Sequence, residues 1–343
     1  MHLIGIAREA ISCNRRHGLG WVLAALVFMV APATAQTCLA GDEIDAATHS
    51  SLEATGRQYF DWTAKGDVSA MRQNAIPGVA SDFAGIESAV RDNQANFAGT
   101  QAAVRPPFLL QAEGKEPLAR AEFLCGVFGK TGQTASSAVI VIPNLPPGEY
   151  GVVILDVAAK TPATLSLVLQ KAGTEWKLGG YYARPSQVGG HDAAWFLERA
   201  RAFKTKGQNH NAWLYYMKAR ELMAPVPFMS TMQTDKVYDE SQSLQLPDSP
   251  SPEAPVEIAG GGKVYRFTSI FPVGIGGDVD LVVKYQCPSV ANTAQTYQEN
   301  LAAIRALVAK YPEYRDGFTA IIARAVEPSG KDYGTMLAVK DIK

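Results

Sequence analysis

Residues 164–182 read TLSLVLQKAGTEWKLGGYY. The first part, Thr164–Gln170, is a short apolar run of the kind found in strands, and a second such run ends in Trp176–Tyr182. Turn residues separate the two runs. The pattern therefore predicts a pair of antiparallel strands that closes a sheet.

Short strand-forming runs separated by turns extend back from this pair to residue 108. The turns contain Gly and Pro, as expected in a meander of short strands. The predicted strands are Phe108–Ala112, Arg120–Phe128, Ser136–Ile142, Tyr150–Ala158 and Thr164–Gln170.

Three helices are predicted before these strands. In the first, Tyr59 and Trp62 belong to a series of apolar and aromatic residues at helical spacing, and Gly66 is a natural stop. Helices followed by an antiparallel meander predict an α+β layered fold. The predicted helices are residues 44–66, Asp67–Ala75 and a segment that begins at Ser81-Asp82.

The closing phrase GTEWKLGGYY, residues 173–182, and the order of helices before sheet resemble the NTF2-like (cystatin-like α+β) superfamily. Many exported members close their sheet with a phrase like Trp176-Lys177-Leu178. The resemblance covers residues 44–185. It implies an NTF2-like domain in which helices pack on a curved antiparallel sheet, with a cone-shaped cavity between them.

Aromatic residues on the first helix are candidates for lining that cavity. Tyr59 and Trp62 are the candidate ligand-binding residues, and Asp61 is the candidate catalytic base, since burial raises the pKa of a carboxylate. The alternative is that Tyr59 and Trp62 are core residues and Asp61 points outward. Catalytic members usually bring an Asp/His or Asp/Tyr pair into the cavity, and residues 50–190 contain no His, which disfavours catalysis.

Residues 191–245 form a predicted helical segment. Its first part, residues 191–226, reads as two helices with a turn at Gly207, and its alternation of small and large residues resembles one tetratricopeptide-like hairpin. A single hairpin must pack on a neighbouring domain or another molecule. Trp213 and Tyr215 lie outside the packing pattern and are candidate partner-binding residues, the alternative being that they pack on the NTF2-like sheet.

A linker is predicted at residues 246–262, because this segment is rich in Pro and ends in three glycines. The remaining residues, 263–343, predict a small α+β domain of ββαββ order, in which two hairpins flank a helix at Thr293–Tyr311. A unit of this size is able to fold alone.

The N-terminus has the pattern of a signal peptide. Arg15-Arg16 precedes the apolar run Leu19–Pro32, and small residues follow up to Ala35. We expect cleavage after Ala35, which removes residues 1–35 and sends the protein to the periplasm or the extracellular space. An uncleaved anchor is the alternative, but the run is shorter than the ~20 residues that span a bilayer, and no later segment is long enough.

Three cysteines remain after the signal: Cys38, Cys125 and Cys287. At most one disulfide can form within the chain. Cys125 lies in the apolar run AEFLCGVF, as expected for a buried free thiol. Cys38 and Cys287 lie near segment ends and are the candidate pair in an oxidising compartment. Cys38 is otherwise free or lipidated, although Gln36-Thr37 fits a lipoprotein signal poorly.

Charge and composition disfavour several classes of function. The net charge is −1 and no run of five basic residues occurs, so nucleic acid is not an expected partner. His49, His191 and His210 are far apart and no C-x-x-C occurs, so no metal site is expected. There is no phosphate-binding glycine motif or nucleophile elbow, and we expect no cofactor.

These features favour an exported, non-catalytic protein that works by binding or assembly. Its partner is expected to be a protein or a small apolar ligand. The alternative is a small-molecule hydrolase, isomerase or dehydratase that uses the NTF2-like cavity, with Asp61 or a tyrosine as acid and base.

Overall fold

The structure, a computed structural model, describes residues 36–130, 132–244, 246 and 248–343. The predicted signal peptide, residues 1–35, lies outside the described residues. The helices are α1 (Ala46–Lys65), α2 (Val68–Gln73), α3 (Pro77–Ser81), α4 (Ala84–Phe97), α5 (Ala193–Thr205), α6 (Asn209–Met223), α7 (Met232–Gln242), α8 (Thr293–Lys310) and α9 (Tyr314–Gly317). The strands are β1 (Gln36–Ala40), β2 (Ala102–Val104), β3 (Phe108–Ala112), β4 (Leu118–Cys125), β5 (Phe128–Gly129), β6 (Gly132–Gln133), β7 (Ala138–Leu145), β8 (Gly148–Val157), β9 (Ala163–Ala172), β10 (Glu175–Pro185), β11 (Gln187–Val188), β12 (His191–Asp192), β13 (Met229–Thr231), β14 (Val256–Gly260), β15 (Lys263–Ile275), β16 (Asp278–Gln286), β17 (Ala320–Val326) and β18 (Asp332–Ala338).

The N-terminal half is built on a six-stranded antiparallel sheet. Its strands follow the order β1-β3-β8-β9-β10, and β2 also pairs with β8. Because successive side chains on a strand point to opposite faces, Val153 and Leu155 of β8 enter one core, whereas Val152 and Ile154 enter another. Both faces of this sheet are buried, which explains the uninterrupted apolar runs of its central strands.

Helices cover one face of this sheet. Helix α1 confirms the first predicted helix and ends where Gly66 adopts a left-handed φ of +70°. The helix lies very close to β8, since a Cβ built on Gly56 would be 2.6 Å from Cγ1 of Val153. The short helix α3 was not predicted. The large aromatic residues of this core are Tyr59, Phe60, Phe83, Phe97, Trp176 and Tyr181.

The five predicted strands of this half are all present. Phe108–Ala112 is β3 with the same limits, and the other predicted limits fall within about three residues of β4, β7, β8 and β9. The mixed α+β class is therefore confirmed. No helix among the described residues is both long and apolar enough to cross a bilayer.

A second, three-stranded antiparallel sheet covers the opposite face. Its order is β13-β7-β4, and Phe123 and Ile140 from this sheet pack in one core with Val152 of the larger sheet. Strand β13 follows the helical hairpin in sequence, and its Met229 is paired with Ile140. The predicted division into 44–185 and 191–245 therefore misses this pairing, because strands that are distant in sequence leave no local signal of their contact.

The helical hairpin shares one hydrophobic core with the C-terminal sheet. The turn predicted at Gly207 is present, with a left-handed φ of +74°. Phe203 and Tyr215 of the hairpin belong to the same core as Leu281 and Phe318. The expectation that the hairpin packs on a neighbouring unit is met by the C-terminal sheet rather than by the N-terminal one.

The predicted linker, residues 246–262, is wrong in its second half. It contains β14, in which Val256 pairs with Phe267 and Ile258 is buried. The C-terminal sheet has the order β14-β15-β16-β17-β18, and β16 and β17 are parallel. The C-terminal unit therefore has one strand, β14, before the predicted ββαββ order. Proline residues before it and glycines after it concealed its alternating pattern of buried and exposed residues.

Candidate functional site

The aromatic residues predicted on α1 lie between the helices and the sheet. Tyr59 is 1% exposed, and its hydroxyl donates a hydrogen bond to the Asn74 carbonyl at 2.7 Å. Trp62 is partly buried and packs edge-on against Tyr59, with ring centroids 4.9 Å apart. Burial raises the pKa of Tyr59 well above its usual range. The Asp61 residue between them is exposed, as in the core interpretation of this cluster.

Trp213 and Tyr215 do not form an exposed aromatic surface. Tyr215 is 2% exposed, its hydroxyl donates to the Gly317 carbonyl, and its ring packs against Phe318. Burial raises the pKa of Tyr215 to about 12. Trp213 is partly buried against the same core. The premise of an exposed Tyr215 is wrong, because its ring packs between Phe203 of α5 and Phe318 of the C-terminal half.

The predicted pairing of Cys38 with Cys287 is also wrong. Cys38 forms a disulfide with Cys125, and Cys287 is a buried free thiol whose pKa is raised by burial. The reason is tertiary: edge strand β1 lies beside β4, so the two bonded residues have their Cα atoms 5.0 Å apart. Cys125 is packed in the core between the two sheets. The apolar residues next to it in the sequence reflect this packing and do not indicate a free thiol.

A cleft of about 480 Å³ lies where the two N-terminal sheets meet the end of α6. We call it the junction cleft. One wall comes from the end of β1 and the segment before β3, another from the turn regions that flank β4 and β7, and a third from the connection between α6 and β13. The segments that contribute lining residues are 40–41, 105–108, 126–127, 135–138, 223–225 and 229–233, together with Ile154.

Proline shapes one wall of the junction cleft. Strands β2 and β3 both pair with β8, and the break between them falls at Pro106-Pro107. Proline has no backbone N–H to donate to a ladder, so pairing with β8 is interrupted between β2 and β3. Both prolines line the cleft, next to Phe108. The proline pair is visible in the sequence, but by itself it predicts a break in a strand and not a cleft.

Arg105 is the one titratable side chain among the described residues that line the junction cleft. It is exposed, and its Nε and Nη2 donate to the Asp156 carboxylate at 2.8 and 2.6 Å. These hydrogen bonds raise the pKa of Arg105 further. The charge is therefore permanent and already paired. The rest of the lining is mainly apolar, with hydroxyl groups at Ser136 and Thr231.

The disulfide holds two walls of the junction cleft together. Cys38 precedes the lining residues Ala40-Gly41 by two positions, and Cys125 directly precedes Gly126-Val127. Gly126 has a left-handed φ of +77°, and a Cβ there would lie 2.3 Å from the Ser136 carbonyl oxygen. Only glycine fits this position without a shift of the neighbouring backbone.

A separate group of titratable side chains links α6 to the C-terminal half. His210 Nδ1 lies 2.9 Å from Oε1 of Glu313, and its Nε2 lies 3.0 Å from Oδ1 of Asp248. The Tyr311 hydroxyl donates to the second Asp248 oxygen at 2.5 Å. Burial opposes ionisation of Asp248, but the hydrogen bonds from Tyr311 and His210 outweigh it and lower the Asp248 pKa. Burial, followed by Asp248, raises the pKa of Tyr311.

Each member of this His210 cluster is engaged by another member, so the cluster joins three chain segments. Both ring nitrogens of His210 face carboxylates. In the part of the chain that the structure describes, no set of three His, Cys, Asp or Glu residues is arranged to hold a metal ion.

No protein-family model matches the chain, and no curated protein or solved structure matches it either. The functional assignment rests on the junction cleft and on the chemistry of its lining.

Proposed function

We propose that the protein is an exported, non-catalytic binding protein that holds a small apolar molecule in the junction cleft. The observation that carries the proposal is the cleft's combination of size and lining. Its volume of about 480 Å³ is in the range of small-molecule sites. Its charged side chain, Arg105, is paired with Asp156, so binding would come from burial of apolar surface.

Export is supported by the disulfide. Disulfides form and persist in oxidising compartments such as the periplasm and the extracellular space. The Cys38–Cys125 bond therefore agrees with the signal pattern that ends at Ala35.

We also propose that residues 44–185 are an NTF2-like domain whose binding site lies outside the usual cavity. Helices α1 and α4 on one face of an antiparallel sheet support this assignment. Tyr59 and other large side chains occupy the space between helices and sheet where the family has its cavity. The junction cleft lies elsewhere, beside the second sheet. Because Asp61 is exposed on α1, we propose no catalytic role for it.

A neutral apolar dye tests the binding function. We expect the protein, purified from the exported fraction, to bind N-phenyl-1-naphthylamine with a rise in dye fluorescence. Val127 lines the cleft, and a carboxylate at this position must be desolvated when an apolar ligand enters. We expect Val127→Asp to weaken dye binding by about tenfold or more, measured by fluorescence titration.

Val264→Asp is the matched control, since Val264 is similarly exposed and lies on the C-terminal sheet. It should leave the dye affinity unchanged. The proposal fails if the unmodified protein binds no dye, or if the two aspartate variants lose affinity equally. The intact mass of the exported protein checks the location, because it should lack residues 1–35.

A further inference from the structure

A second pocket, of about 210 Å³, lies where the end of β10, the last turn of α6 and the beginning of α7 meet. We call it the arginine pocket and define it by Arg184, Arg220, Glu221 and Thr234, which line it together with apolar side chains such as Met217. Two arginine side chains line this pocket, whereas the lining of the junction cleft is mainly apolar.

One nitrogen of the Arg220 guanidinium is buried without a hydrogen-bond acceptor. This atom, Nε, has no hydrogen-bond partner among the described residues. The guanidinium lies over the Tyr238 ring, 5.1 Å from the centroid. Such stacking leaves the in-plane N–H groups available. Buried donors are nearly always satisfied in folded proteins, so the unpaired Nε of Arg220 is a donor that an acceptor in the pocket can use.

The charges around the arginine pocket do not balance. Lys218, whose side chain is 8% exposed, donates to Oε2 of Glu221 at 2.7 Å. The other oxygen of Glu221 is 3.7 Å from Arg184 Nη2, which is too far for a hydrogen bond. Glu221 is the one carboxylate among the described residues that line the pocket, and its short contact is with Lys218. The excess of positive charge lies on the two arginines.

We propose that the arginine pocket binds an oxyanion: the carboxylate, phosphate or sulfate group of a small molecule. The planar guanidinium matches such groups with two parallel N–H donors. Apolar side chains that include Met217 and Pro227 line the pocket beside the two arginines. The pocket is distinct from the junction cleft, although Met229 lines both.

Arg199 provides a comparison within the same chain. Its Nε is also buried without a hydrogen-bond partner, and its guanidinium lies over the Trp195 and Phe203 rings. The cleft that it lines, however, also contains Asp278 and Asp316. Two carboxylates there repel an anion, so Arg199 is the matched control for Arg220.

The test uses sodium phosphate, sodium sulfate and sodium acetate as separate probes, each against sodium chloride at equal ionic strength. A ligand that binds the folded state raises the unfolding temperature with a saturating dependence on its concentration. We expect at least one oxyanion to do so, and the one with the largest effect indicates which group is bound. Arg220→Gln and Arg184→Gln should each weaken its apparent affinity about tenfold or more, whereas Arg199→Gln should change it less than twofold.

Circular dichroism and the unfolding temperature in chloride check that each variant folds. If Arg220→Gln does not fold, Arg184→Gln carries the test, because the Arg184 side chain is 30% exposed. The inference is overturned if no oxyanion stabilises the protein with a saturating dependence on its concentration, or if Arg199→Gln loses as much affinity as the pocket variants. Dye binding in the junction cleft does not depend on either result.

Discussion

Gly56 and Gly151 set the distance between α1 and the sheet. A Cβ on Gly151 would lie 2.2 Å from Cδ2 of Leu52, and one on Gly56 would lie 2.6 Å from Cγ1 of Val153. Each glycine thus accepts a side chain of the facing element. A glycine inside a helix is unfavourable by propensity alone. From the sequence alone, Gly56 is therefore expected to destabilise helix α1. Its close contact with β8 explains why a glycine occupies this position.

Gly56→Ala should destabilise the protein. The gain in helix propensity, up to about 1 kcal/mol, is smaller than the cost of overpacking a close contact, about 1–3 kcal/mol. We expect a net loss of about 1 kcal/mol in the free energy of unfolding, measured by urea denaturation. Gly85→Ala in α4 is the control, because its Cβ would have no atom within 4 Å. It should be neutral or stabilising; a similar loss in both variants would contradict the explanation.

At the scale of elements, the Cys38–Cys125 bond joins edge strand β1 to β4 of the second sheet. The limits of most helices and strands followed from local periodicity, as in α1, α8 and β3. Strands β1, β13 and β14 did not: β13 has three residues, and β14 lies between prolines and glycines. The junction cleft is bounded by β1 and β13, so its position was not predictable from local patterns.

Replacing both Cys38 and Cys125 with Ala should lower stability and weaken the junction cleft. The bond closes a loop of 87 residues, so the loss in free energy of unfolding should be at most about 4–5 kcal/mol. Dye affinity should fall with it, since lining residues begin one position after Cys125 and two positions after Cys38. Cys287→Ala, which removes the buried free thiol, should leave dye affinity unchanged. Equal dye affinity in the double variant would show that the bond does not shape the cleft.

At the scale of the whole molecule, there are three hydrophobic cores among the described residues. A segment late in the sequence also packs in a core formed mainly by earlier segments. The first lies between α1, α4 and the six-stranded sheet, the second lies between the two N-terminal sheets, and the third joins the helical hairpin to the C-terminal sheet. Strand β13 connects the hairpin region to the second core. The His210 cluster ties α6 to the end of α8 through Glu313 and Tyr311.

Asp248 should make this connection depend on pH. Its pKa is lowered in the folded protein, so its contribution to stability is present above the usual value of about 4 and is lost as the pH falls through the lower, folded value. Asp248→Asn should therefore be less stable than the unmodified protein by about 1 kcal/mol at pH 7, and the difference should shrink below about pH 4. Urea denaturation from pH 2.5 to 8 measures it.

Asp61→Asn is the control for this pH dependence, since Asp61 is exposed. Its stability should follow that of the unmodified protein throughout. A difference for Asp248→Asn that stays constant from pH 2.5 to 8 would show that Asp248 acts without its charge.

The sequence alone determined the helices and strands with strong local periodicity, the mixed α+β class and the turns at Gly66 and Gly207, because these depend on neighbours within a few residues. Tertiary structure decided which cysteines meet, that Tyr215 is buried, and that a proline break, a disulfide and β13 enclose one cleft. It also decided that Arg184 and Arg220 share a pocket. The physical reason is that these contacts join residues far apart in the chain, and their stability depends on the packing of sheets and helices, which no local pattern records.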